Sequence, residues 1–151
     1  MAKREIVKIG DDTLRKKCRE VTAFDAKLHL LLDDMAETMY AADGVGLAAP
    51  QIGILRRIVV IDVGDGLIEM INPVIVSASG SQVGVEGCLS VPGKHGTVDR
   101  PMKVKAKYFD RNGEERTISG KELLARAICH ELDHLDGTLY IDKAIDEGED
   151  E

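Results

Sequence analysis

The residues with the clearest chemical potential are His130 and His134, four apart in His130-Glu131-Leu132-Asp133-His134. On an α-helix that spacing offsets the two side chains by about 40° and stacks them over about 6 Å of rise, so each can turn one imidazole nitrogen toward a common ion. Glu131 falls about 100° from His130 and about 60° from His134, beside the ion's open position, where a base for water is needed. Asp133 lies on the opposite flank and suits a supporting hydrogen bond or a solvated cap. A His-Glu-x-x-His string also arises by chance on solvated helix faces, and two histidines alone hold a metal weakly.

The clamp needs a helix and a third ligand. Ser119 with Glu122 predicts a capping box, an apolar stripe follows at Leu123, Leu124, Ala127, Ile128, Leu132 and Leu135, and Gly137 fits a left-handed stop. Catalytic sites of this kind use three protein ligands plus water. Cys129 projects about 100° from His130, away from His134, and cannot share the ion. The longer His-Glu-x-x-His-x-x-Gly-x-x-His clamp requires a histidine where Tyr140 stands. Glu147, Glu149 and Glu151 lie in an acidic end that makes a poor ligand platform. Cys88 and His95 remain; Cys88 has a strand-end setting and would bind as a thiolate, with a buried structural cysteine as the plainer alternative.

Composition narrows the setting. The 151 residues suit one domain with a real core. Of the formal charge of -7, five negative charges come from Asp146, Glu147, Glu149, Asp150 and Glu151, so the body is near neutral. Residues 1–145 are therefore expected to form a single catalytic domain and 146–151 a solvated, disordered tail. No basic stripe argues for strong direct nucleic-acid binding. Three scattered cysteines give no disulfide framework, and no signal core or membrane-length apolar run occurs. A soluble, cytoplasmic, monomeric protein is expected.

Residues 1–21 read as an extended arm with a helical turn near Asp11 to Lys17. Leu28, Leu31, Leu32, Met35, Met39 and Ala42 then follow helical spacing, with Asp25 as the cap and His29 as a surface histidine. The glycine-rich stretch Gly44 to Gly53 follows that helix and meets Pro50 at once, so it is no dinucleotide fingerprint. It can instead bring bare backbone near an extended ligand, with Gln51 as a fixed amide donor or a plain turn residue. Short strands are predicted at Arg57 to Val63, Gly66 to Ile71, Val74 to Ser79, Gln82 to Glu86, Lys103 to Phe109 and Glu114 to Ile118. A break falls at Asn72-Pro73 and a loop holds Pro92, Gly93 and Gly96. Strands between two helices give an α+β class.

Gly44-Val45-Gly46-Leu47-Ala48-Ala49-Pro50-Gln51, Glu86-Gly87-Cys88-Leu89-Ser90 and His130-Glu131-Leu132-Asp133-His134-Leu135-Asp136-Gly137 together resemble the three signature motifs of peptide deformylases, complete and in order. The resemblance implies a small α+β fold whose antiparallel sheets pack around a central C-terminal helix carrying the metal motif, with an N-terminal helix. It implies removal of the formyl group from N-formylmethionyl peptides, with Cys88, His130 and His134 on one divalent metal. Ferrous iron is common in the family, and zinc, nickel or cobalt are accepted. Glu131 would then move the proton, and Gln51 with the Leu89 N–H would meet the developing charge. Val45 and Gly46 would lie against the peptide, and Leu123 and Ala127 would wall a pocket for the methionine side chain. His95 replaces a commoner arginine, and where longer members carry a C-terminal helix linked to ribosome docking this chain has an acidic tail, so the resemblance leaves ribosome association open, with a transient contact as the candidate. Arg100 is expected to pair with Glu86 and brace the cysteine strand. A zinc metalloprotease with a Cys-His-His site is the alternative.

Overall fold

The computed structural model describes residues 2–149. Two helices and eight strands form: α1 (Ala26–Ala41), β1 (Gly46–Ala48), β2 (Ile58–Ile61), β3 (Ile68–Ser79), β4 (Gln82–Cys88), β5 (Val91–Arg100), β6 (Lys103–Phe109), β7 (Glu115–Lys121), α2 (Leu123–Leu135) and β8 (Asp146–Glu149). All strand pairings between them are antiparallel, in a five-stranded sheet ordered β1-β2-β3-β6-β7 and a three-stranded sheet ordered β4-β5-β8. The α+β class with α2 at its centre is thus the observed architecture.

Burial explains the layering. Ile58, Val59, Val60 and Ile61 of β2 are all buried because both faces of the larger sheet are covered at that strand. Val59 and Ile61 pack with Met70, Val104 and Ala106 against Ala125, Ile128, Leu132 and Leu135 of α2. Ile58, Val60 and Ile71 face Leu28, Leu32, Met35 and Met39 of α1. Helix α1 begins where the Asp25 carboxylate accepts the Leu28 N–H at 3.1 Å, as its sequence predicts. The expected turn near the N-terminus is a 3-10 helix at Asp12–Arg15.

Several local expectations change. The capping box does not form: Ser119 lies exposed on β7, and Glu122 precedes α2 at φ 55° without a side-chain cap bond. Asn72-Pro73 bends one long strand rather than dividing two. A register shift falls between Ile71 and Val74, where the Asn72 side-chain amide exchanges bonds of 2.8 and 2.9 Å with the Val21 backbone. Residues 91–100 form β5 instead of a loop, because the chain turns at Leu89-Ser90 and pairs back along β4. The outer edge of β5 in turn takes Asp146–Glu149 as β8, so their backbone is a strand where a tail was expected. Ile145 N–H bonds Thr97 O at 2.7 Å and lays the chain alongside, and backbone pairing of this kind needs no apolar side chains. Asp150 and Glu151 lie outside the described residues.

Gly137 ends α2 at φ 77°, where a Cβ would stand 2.5 Å from the Arg15 carbonyl oxygen. The left-handed stop is therefore also a close contact with the N-terminal arm.

Candidate metal centre

Three elements deliver the clamp and its neighbours to one place. Helix α2 contributes His130, Glu131 and His134, all buried, with the two imidazole centroids 5.1 Å apart. Strand β4 ends on Cys88, whose Sγ lies 3.4 Å from His134 Nε2. One donor atom from each of Cys88, His130 and His134 lies within 4.8 Å of the other two. His95 sits on β5 opposite Gly148, and the adjacent Lys94 lines the cleft.

Donor chemistry and orientation both fit a divalent cation. His130 Nδ1 is 2.7 Å from Glu86 Oε1, which leaves Nε2 to face the cluster, the carboxylate–histidine arrangement that orients metal ligands. Burial keeps His134 neutral by lowering its pKa, with the charges on His130 and Arg100 acting in the same direction. Burial opposes a charge on His130, but hydrogen bonds to Cys88 and Glu86 override it and raise its pKa. A proton thus competes with a cation for His130. Apparent metal affinity is expected to fall on acidification, by up to about tenfold per pH unit for each proton displaced. Chelator competition across pH checks this, and an affinity indifferent to pH would contradict it.

Glu131 is 4 % exposed, its Oε2 is 4.0 Å from His130 Nε2, and its Oε1 has no hydrogen-bond partner among the described residues. Burial pushes its pKa up to about 7. The carboxylate lies against Gly46, where a Cβ would stand 2.5 Å from Oε2, so the Glu131 side chain itself requires the glycine. Gly46 lies on β1, an edge strand. Val45 O accepts Asp62 N–H at 2.8 Å on the β2 side, and Ala48 N–H turns the other way to Gln51 Oε1 at 2.9 Å. By that alternation Gly46 directs its N–H and C=O away from β2.

Gln51 is buried in the 3-10 turn Ala49–Ile52. Its Oε1 is held by Ala48, so its Nε2 points to Ser90 Oγ at 3.2 Å and Cys88 Sγ at 3.5 Å. Leu89 is the first residue of the β4–β5 turn, packed beside Gly44. A cleft of about 330 Å³ joins these groups; Val45, Gly46, Leu89, Leu123, Ala127 and Glu131 are among its walls. Every site residue expected from the sequence therefore borders this cleft or belongs to the Cys88–His130–His134 group. Burial pushes the Cys18 thiol up to about 11 and raises Cys129 as well, in keeping with packing roles.

The support beneath the site was only half legible. Arg100 donates to Glu86 from Nε at 2.8 Å and from Nη2 at 3.0 Å, as expected, and its Nη1 reaches Asp133 at 2.7 Å. Unforeseen were the Glu86–His130 bond and Arg126, whose Nη1 donates to Glu86 Oε2 at 2.6 Å and Val98 O at 3.1 Å. Arg126 falls one turn before His130 on α2, a spacing that could have marked it. Ser90, which fixes the Gln51 amide, carried no such signal.

The family model of polypeptide deformylases matches residues 3–150. A peptide deformylase of Thermoanaerobacter pseudethanolicus is 63% identical over 145 residues, 96% of this chain and 91% of the relative. Peptide deformylase from Thermotoga maritima superposes with a TM-score of 0.95 at 41% identity, covering 97% of this chain and 100% of that one. The enzyme from Synechococcus elongatus, solved in complex with actinonin, gives 0.92 at 40% identity over 95% and 79% of the two chains.

Proposed function

This chain belongs to the peptide deformylase family, metal-dependent hydrolases that remove the N-formyl group from nascent polypeptides, and we propose how its own residues divide that work. Cys88, His130 and His134 hold the metal. Glu131 is the base, Gln51 Nε2 and the Leu89 N–H receive developing charge, and residues 1–145 together with β8 are the catalytic domain. The observation that carries this reading is the buried, unpartnered Glu131 oxygen beside three converging donor atoms at the end of a cleft. With the family shown, the metalloprotease alternative falls away.

The cation, in our reading ferrous iron in the cell with zinc, nickel or cobalt as substitutes, supplies Lewis acidity that brings the pKa of water toward about 7. Glu131 accepts a proton from the attacking water and returns it to the departing amine, so water and the formamide become formate and a free N-terminus. An extended peptide pairs with the free edge at Gly46, next to Val45, as an added strand. The methionine side chain enters the apolar end of the cleft between Leu123 and Ala127.

Gln51 is preorganised because Ala48 and Ser90 fix both ends of its amide. Gln51→Ala is expected to lower kcat for formyl-Met-Ala-Ser by roughly 10²–10³, with metal content unchanged. Formate release at the wild-type rate would remove Gln51 from the chemistry. Among the described residues no helix is long and apolar enough to cross a membrane. We place the enzyme in the cytoplasm as a monomer that meets the ribosome transiently.

A further inference from the structure

The face of the larger sheet opposite α2 carries an uncovered group of cations at its β6–β7 end. Val104 and Ala106 point into the α2 core, so the alternating Lys103, Lys105 and Lys107 point the other way, and all three are exposed. Strand register adds a fourth. Lys121 of β7 lies directly opposite Lys103, while Lys105 is flanked by Ser77 on β3 and Ser119 on β7. The chain shows these lysines in two stretches some way apart, and only pairing makes them one patch. Its central part is a shallow depression of about 410 Å³.

Like charges set directly opposite each other in a sheet are destabilising, so the Lys103–Lys121 pair works against the fold unless an anion bridges it. Among the described residues, Lys107 alone of the four has an ion-pair partner, Glu115 at 2.7 Å, and that pair is half exposed and weak. Alternate residues on a strand are roughly 6.8 Å apart, comparable with successive phosphates on an extended nucleic-acid strand. Serine hydroxyls between the lysines add neutral donors to phosphate oxygens. The patch has no aromatic residue on which a base could stack.

We propose that this lysine face docks the phosphate backbone of RNA, weakly and without sequence preference. Binding of this kind is electrostatic, with a dissociation constant of about 10⁻⁴–10⁻⁶ M near physiological salt. It differs from the strong direct binding for which the sequence offers no basic stripe, and it goes beyond the catalytic reading because it uses no residue of the metal centre.

The test is fluorescence anisotropy of a fluorescein-labelled RNA hairpin titrated with the metal-loaded enzyme between about 50 and 200 mM KCl. Four phosphate contacts give a slope of log K against log salt of roughly -3 to -4. The triple variant Lys103→Gln, Lys105→Gln, Lys121→Gln should bind at least about tenfold more weakly, with the slope reduced to roughly -1. Its turnover of formyl-Met-Ala-Ser should be unchanged, which also shows that it folds. A control with the same charge change on another exposed surface, Lys16→Gln, Lys17→Gln, Lys27→Gln, should bind as wild type. Equal weakening in the control, no saturable binding by the wild type, or lysine-dependent binding to phosphatidylglycerol vesicles but not to RNA would each overturn the proposal.

Discussion

Glu131→Ala is expected to lower kcat for formyl-Met-Ala-Ser by roughly 10²–10⁴ while the protein keeps its metal. The carboxylate is not among the three clustered donor groups, so its loss leaves the ligand set intact. It stands in a space that Gly46 keeps open, and one of its oxygens has no hydrogen-bond partner among the described residues. Burial raises its pKa to about 7, which makes it a better proton acceptor than a solvated carboxylate. A bound cation lowers that value, and because the working form is the carboxylate, kcat/KM should fall on the acid side. Glu131→Ala should remove this acid limb together with the rate. Glu131→Gln, which keeps the shape and loses the basicity, separates proton transfer from packing. A variant that retains metal and turns over normally would show that Glu131 is not the base.

The second large effect concerns Glu86, which never meets the metal. Its two oxygens accept from His130, Arg100 and Arg126, all within 3.0 Å and all buried. Removing it by Glu86→Ala leaves Arg100 with Asp133 and Arg126 with backbone carbonyls as their remaining partners, at a cost of up to about 3–5 kcal/mol for the lost shared carboxylate. It also frees the His130 ring, which should weaken metal affinity about 10–100-fold. Burial raises the Glu86 pKa, but the hydrogen bonds from His130 and Arg100 prevail and hold it at about 2, well below the usual carboxylate range. A depressed carboxylate stabilises the fold fully above the unfolded value. That contribution is lost as pH falls from about 4.5 through about 2. Denaturant midpoints and zinc competition measure both effects. Glu86→Gln should recover part of the stability by preserving shape while losing charge. If Glu86→Ala unfolds at the wild-type midpoint and binds zinc equally well, Glu86 neither braces the sheets nor orients His130.

Short-range pattern made the chemistry legible and left its support obscure. The His130–His134 spacing, the Asp25 cap and the apolar stripes of α1 and α2 depend on residues close in the chain, and they appear as expected except at Leu123, which is exposed at the start of α2. Glu86 and His130 are separated by 44 residues, and nothing near either one announces the bond. The Asn72 bulge depends on Val21, also far away in the chain. Residues Val91 to Gly96 carry proline and glycines that signal a loop, yet pairing on both sides makes them strand. The same long-range register hides the lysine face: four cations in an acidic chain become a patch only when β6 and β7 pair.

Anaerobic turnover of formyl-Met-Ala-Ser, followed by formate release with metal measured in the same sample, tests the central claim most directly. The wild type should release formate in proportion to bound metal, and Cys88→Ala should lose the metal and the activity together. Fully metal-loaded wild-type protein that releases no formate would contradict the assigned reaction, and Cys88→Ala that retains both would contradict the assigned ligand set.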